Sequence, residues 1–334
     1  MIRKLLTIVI ISMFLLTGFI NVSATNTSNI QITSLGNTIY VDDDALPEWY
    51  DGSHVKTINE GVTNASTGDT VYVYNGTYYE KVYINKKIVL TGENKETTII
   101  DSGKKGSPIG IDVDQTSVSN FTLTNSSDSL FPGYIENGID IGSDGNKIFN
   151  NIITNNLEGI CLIDSSNNKI YDNIITENIG NENMGSGIVL SSSSNNEIYG
   201  NIITDNLLTG IAVGFESNEN IISNNIVDNS VCGIKITKSS SNVVEKNEIS
   251  NNDIGLKIVG LSNKNKISSN NFIDNKISAT FKINKIFPRN IWTGNYWDKA
   301  RTLPKLIYGR IGRIFSLIPW IAFDLSPVQQ PYDI

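Results

Sequence analysis

Residues 146–176 read NKIFNNIITNNLEGICLIDSSNNKIYDNIIT, and the frame N-x-[IV]-x-x-N-x-[IVF] occurs in this stretch twice. Across the chain its first Asn falls at Asn146, Asn168, Asn196, Asn220, Asn242 and Asn265, with steps of 22, 28, 24, 22 and 23 residues. Apolar residues two and five apart do not fit one face of a helix, whose positions return every 3.6 residues. They fit short strands separated by turns. A period near 22 then means a coil of three strands, each coil stacking on the one before it.

Working outward from this stretch, most copies continue into G-[IL]-x-[ILV]. Gly110-Ile111-Asp112-Val113, Gly138-Ile139-Asp140-Ile141, Gly159-Ile160-Cys161-Leu162 and Gly187-Ile188-Val189-Leu190 align as one strand of successive coils. Gly210-Ile211-Ala212-Val213, Gly233-Ile234-Lys235-Ile236 and Gly255-Leu256-Lys257-Ile258 continue the alignment. Alternation places the two apolar residues inside and the middle residue outside. Asp112 and Asp140 are thereby expected in one outward column of neighbouring coils.

The flanks divide the rest of the chain. Arg3 and Lys4 precede the apolar stretch Leu5 to Ile20, and Val22-Ser23-Ala24 is a small-residue cleavage site. Residues 1–24 read as a removable export signal, which predicts a secreted or cell-surface protein. Residues 25–53 form a polar arm with the acidic run Asp42-Asp43-Asp44. Residues 54–68 hold an expected capping helix with Val55, Ile58 and Val62 on one side, covering strand edges that would otherwise be open. The solenoid proper spans 69–284. After it the period breaks into an aromatic, Pro-containing capping segment, 285–334. Leu306 to Phe323 is apolar, but Arg310, Arg313 and Pro319 argue against a membrane span.

The sequence of residues 39–101, IYVDDDALPEWYDGSHVKTINEGVTNASTGDTVYVYNGTYYEKVYINKKIVLTGENKETTIID, followed by the Asn-rich repeats, resembles the right-handed parallel β-helix repeat proteins. These are pectin-lyase-like surface proteins, abundant in archaea and often labelled NosD-type or carbohydrate-binding and sugar-hydrolase domains. The resemblance covers residues 38–334. It implies an all-β, single-stranded right-handed parallel β-helix of nine or ten coils, capped by a helix at one end and an aromatic segment at the other. It does not choose among the activities found on that fold.

Several groups of residues suggest chemistry. Phe149, Tyr171 and Tyr199 share one outward position in three consecutive coils, beside a second column of Ile152, Ile174, Ile202 and Ile226. Such a strip suits a stacked polysaccharide, or a ladder that stiffens the outside of the solenoid. Two coils carry insertions, residues 125–137 and 178–186, that would flank a notch with Glu158 on its floor and Phe131, Tyr134, Glu136 and Glu182 along its sides. Asp112, Asp140, Glu136 and Glu158 are the carboxylates available for acid–base catalysis. Asp112 with Asp140, or Asp42, Asp43 and Asp44, are loose Ca2+ candidates.

What the chain lacks narrows the function. The formal charge is −8, yet from Lys282 onward eight Lys/Arg face three acids, net +5, so residues 1–281 carry −13. An acidic body argues against a nucleic-acid partner, and the basic tail is expected to contact an anionic surface or, as the favoured reading, that body. Beyond the signal, no Arg precedes Arg289, and His54 is the one histidine. The surface Arg of pectate lyases and the G-H-G segment of polygalacturonase-like members are therefore missing. One His, two Cys and three Met make a poor copper set. Cys161 and Cys232 lie three coils apart, roughly 14 Å by strand spacing, too far for a disulfide.

These observations favour an exported module that binds polysaccharide or a cell-envelope glycan without catalysis, requiring no cofactor beyond a possible role for calcium. A carbohydrate-active lyase or hydrolase working through carboxylates, and a surface protein that self-associates through its apolar strip, are the alternatives.

Overall fold

The computed structural model describes residues 36–126, 137–180, 184–284, 289–313 and 316–334. It is a right-handed parallel β-helix. One coil shows the plan. Lys147–Phe149 forms a strand of the first wall, Ile152–Thr154 of the second, and Ile160–Ile163 of the third. The chain then returns one coil further on, where Lys169 pairs with Lys147 and Phe149 with Tyr171. The second wall is a ten-stranded parallel sheet running from Gly76–Tyr78 to Tyr296–Trp297.

The corners explain the Asn frame. Asn150, Asp172 and Asn224 lie at φ of 52°, 55° and 54°, the left-handed region that Asn and Asp tolerate. The next residue is a buried Asn. Asn151 Nδ2 donates to Asn173 Oδ1 at 3.1 Å, Asn173 to Asn201 at 3.0 Å, and Asn201 to Asn225 at 2.9 Å. Each Oδ1 also accepts the backbone N–H of the preceding coil's Asn. A second such ladder runs through Asn146, Asn168, Asn196, Asn220, Asn242 and Asn265. A third joins Asn178 to Asn206 and Asn252 to Asn275 at the remaining corner. Backbone amides turning inward at the corners thus find partners where water cannot reach.

Inside, apolar side chains stack in columns. Ile148, Ile170, Ile198 and Ile222 form one, and Ile153, Ile175, Ile203 and Val227 another, all fully buried. Each contributes about 1.5–3 kcal/mol of transfer free energy. The Gly that opens the third-wall strand is required by close approach. A Cβ on Gly159 would stand 2.4 Å from the Gly187 carbonyl oxygen, and one on Gly187 would stand 2.8 Å from that of Gly210.

The N-terminal end differs from the sequence expectation. Thr38–Val41 already belongs to the first wall, paired with Thr70–Val73. The helix is only Ile58–Asn64, because His54–Val55 pairs with Tyr40–Val41 as a short strand. Thr57 and Glu60 form a capping box at the helix start. Ile58, Gly61 and Val62 are buried against the first coil, and Gly61 sits where a side chain would strike Val41 and Val71.

At the C-terminal end the interior changes from Ile to aromatic residues, with Phe272 stacked on Trp297 at 4.4 Å. An antiparallel hairpin, Lys305–Arg313 with Ser316–Asp324, then closes the solenoid. Its first strand pairs with Phe281–Ile283. Asp324, fully buried, receives Asn295 Nδ2 and Trp297 Nε1, both at 3.0 Å. The contact of the basic tail with the acidic body involves no ion pair among the described residues: Arg289, Lys299, Arg301, Lys305 and Arg310 form no salt bridge with any described acid.

Candidate functional site

Phe149, Tyr171 and Tyr199 occupy paired positions in consecutive first-wall strands, each following an inward Ile. Their centroids lie 4.9 and 5.0 Å apart with planes within 4°, and each residue is half-buried. The spacing is that of the strands themselves, about 4.8 Å, so each ring fills the gap to the next. The ring faces are consequently spent on one another, and solvent meets ring edges. Only the outer face of Phe149, toward Ser119, and that of Tyr199, toward Ser223, have no ring against them. Of the two readings the sequence left open, the ring-on-ring ladder is the one this geometry matches.

The edge is nonetheless polar and exposed. The hydroxyls of Tyr171 and Tyr199 make no hydrogen bond to any described residue. Beside them Lys169 Nζ lies 3.0 Å from Glu197 Oε2, with both side chains partly exposed, and Glu197 holds the Lys169 ammonium above its ordinary pKa. Lys147 and Asp172 are exposed on either flank. Ile152, Ile174, Ile202 and Ile226 lie in register on the second wall and face outward, Ile202 most openly. Glu248 and Asn271 continue this column, but Asn271 is buried beneath the C-terminal tail, bonded to the Tyr332 backbone.

The expected notch has a different character. Phe131, Tyr134, Glu136 and Glu182 lie outside the described residues. Glu158 is no open floor: only 8% of it is exposed, and its carboxylate accepts the Ser186 backbone N–H. Burial raises its pKa, opposed by the Ser186 and Gly185 amides. Asp140 faces Cys161 on the adjacent strand and accepts hydrogen bonds from Ser107 and Asn137. The Cys161 thiol is pushed up by burial first, then by Asp140 and Glu158.

Asp112 and Asp140 are not neighbours in one column. Asp140 pairs with Gly110, because Ile109-Gly110-Ile111 rather than Ile111-Asp112-Val113 supplies the strand core. A two-residue shift preserves the inside–outside alternation, so the pattern could not choose between the registers. Asp112 is exposed and receives the Tyr83 hydroxyl at 2.8 Å. The two cysteines are free and buried.

Among the described residues, one group of three acidic side chains is spaced for a cation: Asp42, Asp43 and Asp44, with ligand atoms within 4.8 Å of one another. Burial is the main reason Asp42 titrates above its ordinary value.

A family model described as "Periplasmic copper-binding protein (NosD)" matches residues 62–302. The chain belongs to this family. Among solved structures, the complex of XylC with xylose is similar at TM-score 0.58 and 12% identity, over 82% of this chain and 76% of that one. The GH136 lacto-N-biosidase from Eubacterium ramulus gives 0.54 and 12%, over 78% and 64%. Pectate lyase Pel9A gives 0.51 and 12%, over 90% and 79%. At these identities the likeness is one of fold. No curated protein matches the chain.

The copper in the NosD description does not fit the donors of this chain. Copper sites draw on imidazole, thiolate and thioether. Here His54 hydrogen-bonds Asp51 at 2.9 Å and lies at the N-terminal end, while Cys161 and Cys232 are buried in coils well apart. Among the described residues, the one cluster with metal-ligand spacing is all carboxylate, suited to a hard cation.

Proposed function

We propose that this NosD-family chain is an exported module that binds a polysaccharide across the coils carrying Phe149, Tyr171 and Tyr199, without cleaving it. The observation that carries this reading is the partnerless row of Tyr171 and Tyr199 hydroxyls beside the exposed Lys169–Glu197 pair. Glycan hydroxyls and carboxylates lying along that edge would find donors and acceptors at the coil spacing. The saccharide named in the XylC complex supports a sugar on this fold, though not this site.

Non-catalysis is supported by the state of the carboxylates. Glu158 is buried, Asp140 is held by Ser107 and Asn137, and Asp112 lies in another register. An acid–base pair must reach the scissile bond from two sides. The second reading, a carbohydrate-active enzyme, rests on the different environments of Asp140 and Glu158 beside Cys161.

Affinity electrophoresis through acidic and neutral polysaccharides, with and without Ca2+, tests both. Retardation by a polymer recovered at full length is the expected result. A shortened polymer, with cleavage lost in Glu158→Gln or Asp140→Asn, would establish the enzyme. Passage unretarded through every gel would sink the binding reading.

A further inference from the structure

An antiparallel pair at a protein surface ordinarily alternates, apolar side chains inward and polar ones outward. The C-terminal hairpin does not. Inward, Ile307 and Ile311 are buried and Ala322 packs on the solenoid core. Outward, Leu306 pairs with Phe323 and Tyr308 with Ile321, and these four side chains are between 38% and 63% exposed. Trp320 and Ile318 extend the apolar surface around the strand. An exposed patch of this kind marks an interaction surface.

The charge beside the patch is mainly positive, with Asp298 the one acid that acts on Lys305. Lys282 and Arg310 face each other on adjacent strands, both exposed, and neither is paired with a described acid. Arg301 lies close enough to Lys305 to help lower its pKa, after burial, and Lys305 Nζ sits 5.4 Å from the centre of the Trp297 ring. Aliphatic and aromatic side chains rimmed by unpaired cations are the composition of a surface that lies in the bilayer interface.

We propose that this hairpin docks the protein on an anionic lipid bilayer, with Tyr308, Ile321, Phe323 and Leu306 entering the headgroup region and Arg310 and its neighbours meeting the phosphates. A second copy docked through the same patch would set one cationic rim against the other, since a two-fold contact uses the same patch on both subunits. A glycan would find few hydrogen-bonding groups among the outward side chains. A membrane-crossing helix is not involved: among the described residues none is long and apolar enough.

The test is sedimentation of the purified protein with phosphatidylcholine vesicles, with and without phosphatidylglycerol, at low and high salt. Pelleting with the anionic vesicles at low salt, and release by salt, is expected. Arg310→Ala should weaken it about fivefold, the contribution of one cation near an anionic surface. Ile321→Asp with Phe323→Asp should abolish it. Circular dichroism melts check that the variants fold, and the lipid and salt arms need no variant. Failure to pellet with anionic vesicles, or equal pelleting with neutral ones, overturns the proposal. So does concentration-dependent self-association without lipid that the double variant removes, which would give the face to a second copy. Neither result touches the glycan reading, which concerns other coils.

Discussion

The coils between Asn146 and Asn275 and the cap that follows Arg289 face the same difficulty, a buried corner whose polar groups need partners, and meet it in different ways. In the coils each Asn is satisfied by the Asn of the next coil, so the solution is repeated indefinitely. The cap has no next coil. There Asp324 stands where the following amide oxygen would be, and accepts from the Asn295 backbone, Asn295 Nδ2, Trp297 Nε1 and the backbone N–H groups of Gly294 and Ser326. A ladder propagates with a neutral side chain that both donates and accepts. It ends with one that only accepts, because the last donors have nothing else to meet.

Breaking the terminator should have the largest effect. Asp324→Ala leaves buried donors without partners, at about 1–3 kcal/mol each, and a total loss of about 3–5 kcal/mol is expected by urea unfolding. Asp324→Asn keeps one acceptor oxygen for Asn295 and Trp297 but turns an NH2 toward the part-exposed Gly294 and Ser326 amides, and should lose less, about 1–3 kcal/mol. Equal losses in the two variants would show that the charge, and not the acceptor position, closes the ladder.

Breaking a rung should cost less. Asn201→Ala removes donations to Ile170, Tyr199 and Asn225 and the acceptor for Asn173, for an expected loss of about 2–3 kcal/mol. Hydrogen exchange sharpens the contrast. Asn201→Ala should loosen both neighbouring coils, whereas Asp324→Ala should loosen only the cap, the residues near 289–297 and the hairpin end at Lys305 and Asp324, since a repeat contacts only its neighbours.

A smaller effect distinguishes the regular coils from the inserted one. Burial raises the Glu158 pKa in the fold, so the folded chain holds a proton that the unfolded chain gives up. Stability is then greatest below the ordinary glutamate value, about 4.3, and falls as pH rises toward the raised folded value. Glu158→Gln keeps an oxygen for the Ser186 amide and removes this slope. It should be more stable than the parent at neutral pH and lose that advantage on acidification. Parallel stability–pH curves would mean that the Glu158 carboxylate is already charged in the fold.

How much of this was legible depends on whether a feature repeats. The Asn frame, the inward Ile columns, the outward ring column and the free cysteines all follow from a period and an alternation, and the structure holds them where the pattern puts them. Asp112 was misplaced because a slip of two residues keeps every side chain on its own face. Glu158 was read as an exposed floor because link length reports where a chain turns, not what covers it. Asp324 was invisible as a terminator, since its role exists only through the coil it ends. The ring column was found with both its readings, ladder and sugar platform, open: alternation gives the outward direction, but only the ring geometry shows that each ring is stacked on the next.

That last point can be decided with the smallest perturbation. If glycan sugars stacked on ring faces, Tyr171→Phe and Tyr199→Phe would leave binding unchanged, since the rings remain. If the glycan meets the ring edges, each substitution removes one hydroxyl that has no partner within the protein. A hydrogen bond of this kind is worth about 0.5–1.5 kcal/mol, so each should weaken binding roughly two- to tenfold, read from retardation in affinity gels. Stability should hardly move, because the 4.9 and 5.0 Å stacking contacts survive. Tyr199→Ala also removes the ladder's end ring and its stacking on Tyr171, and should cost both binding and some stability. Weak binding by Tyr199→Ala with full binding by Tyr199→Phe would return the sugar to a ring face, the side of Tyr199 that looks onto Ser223.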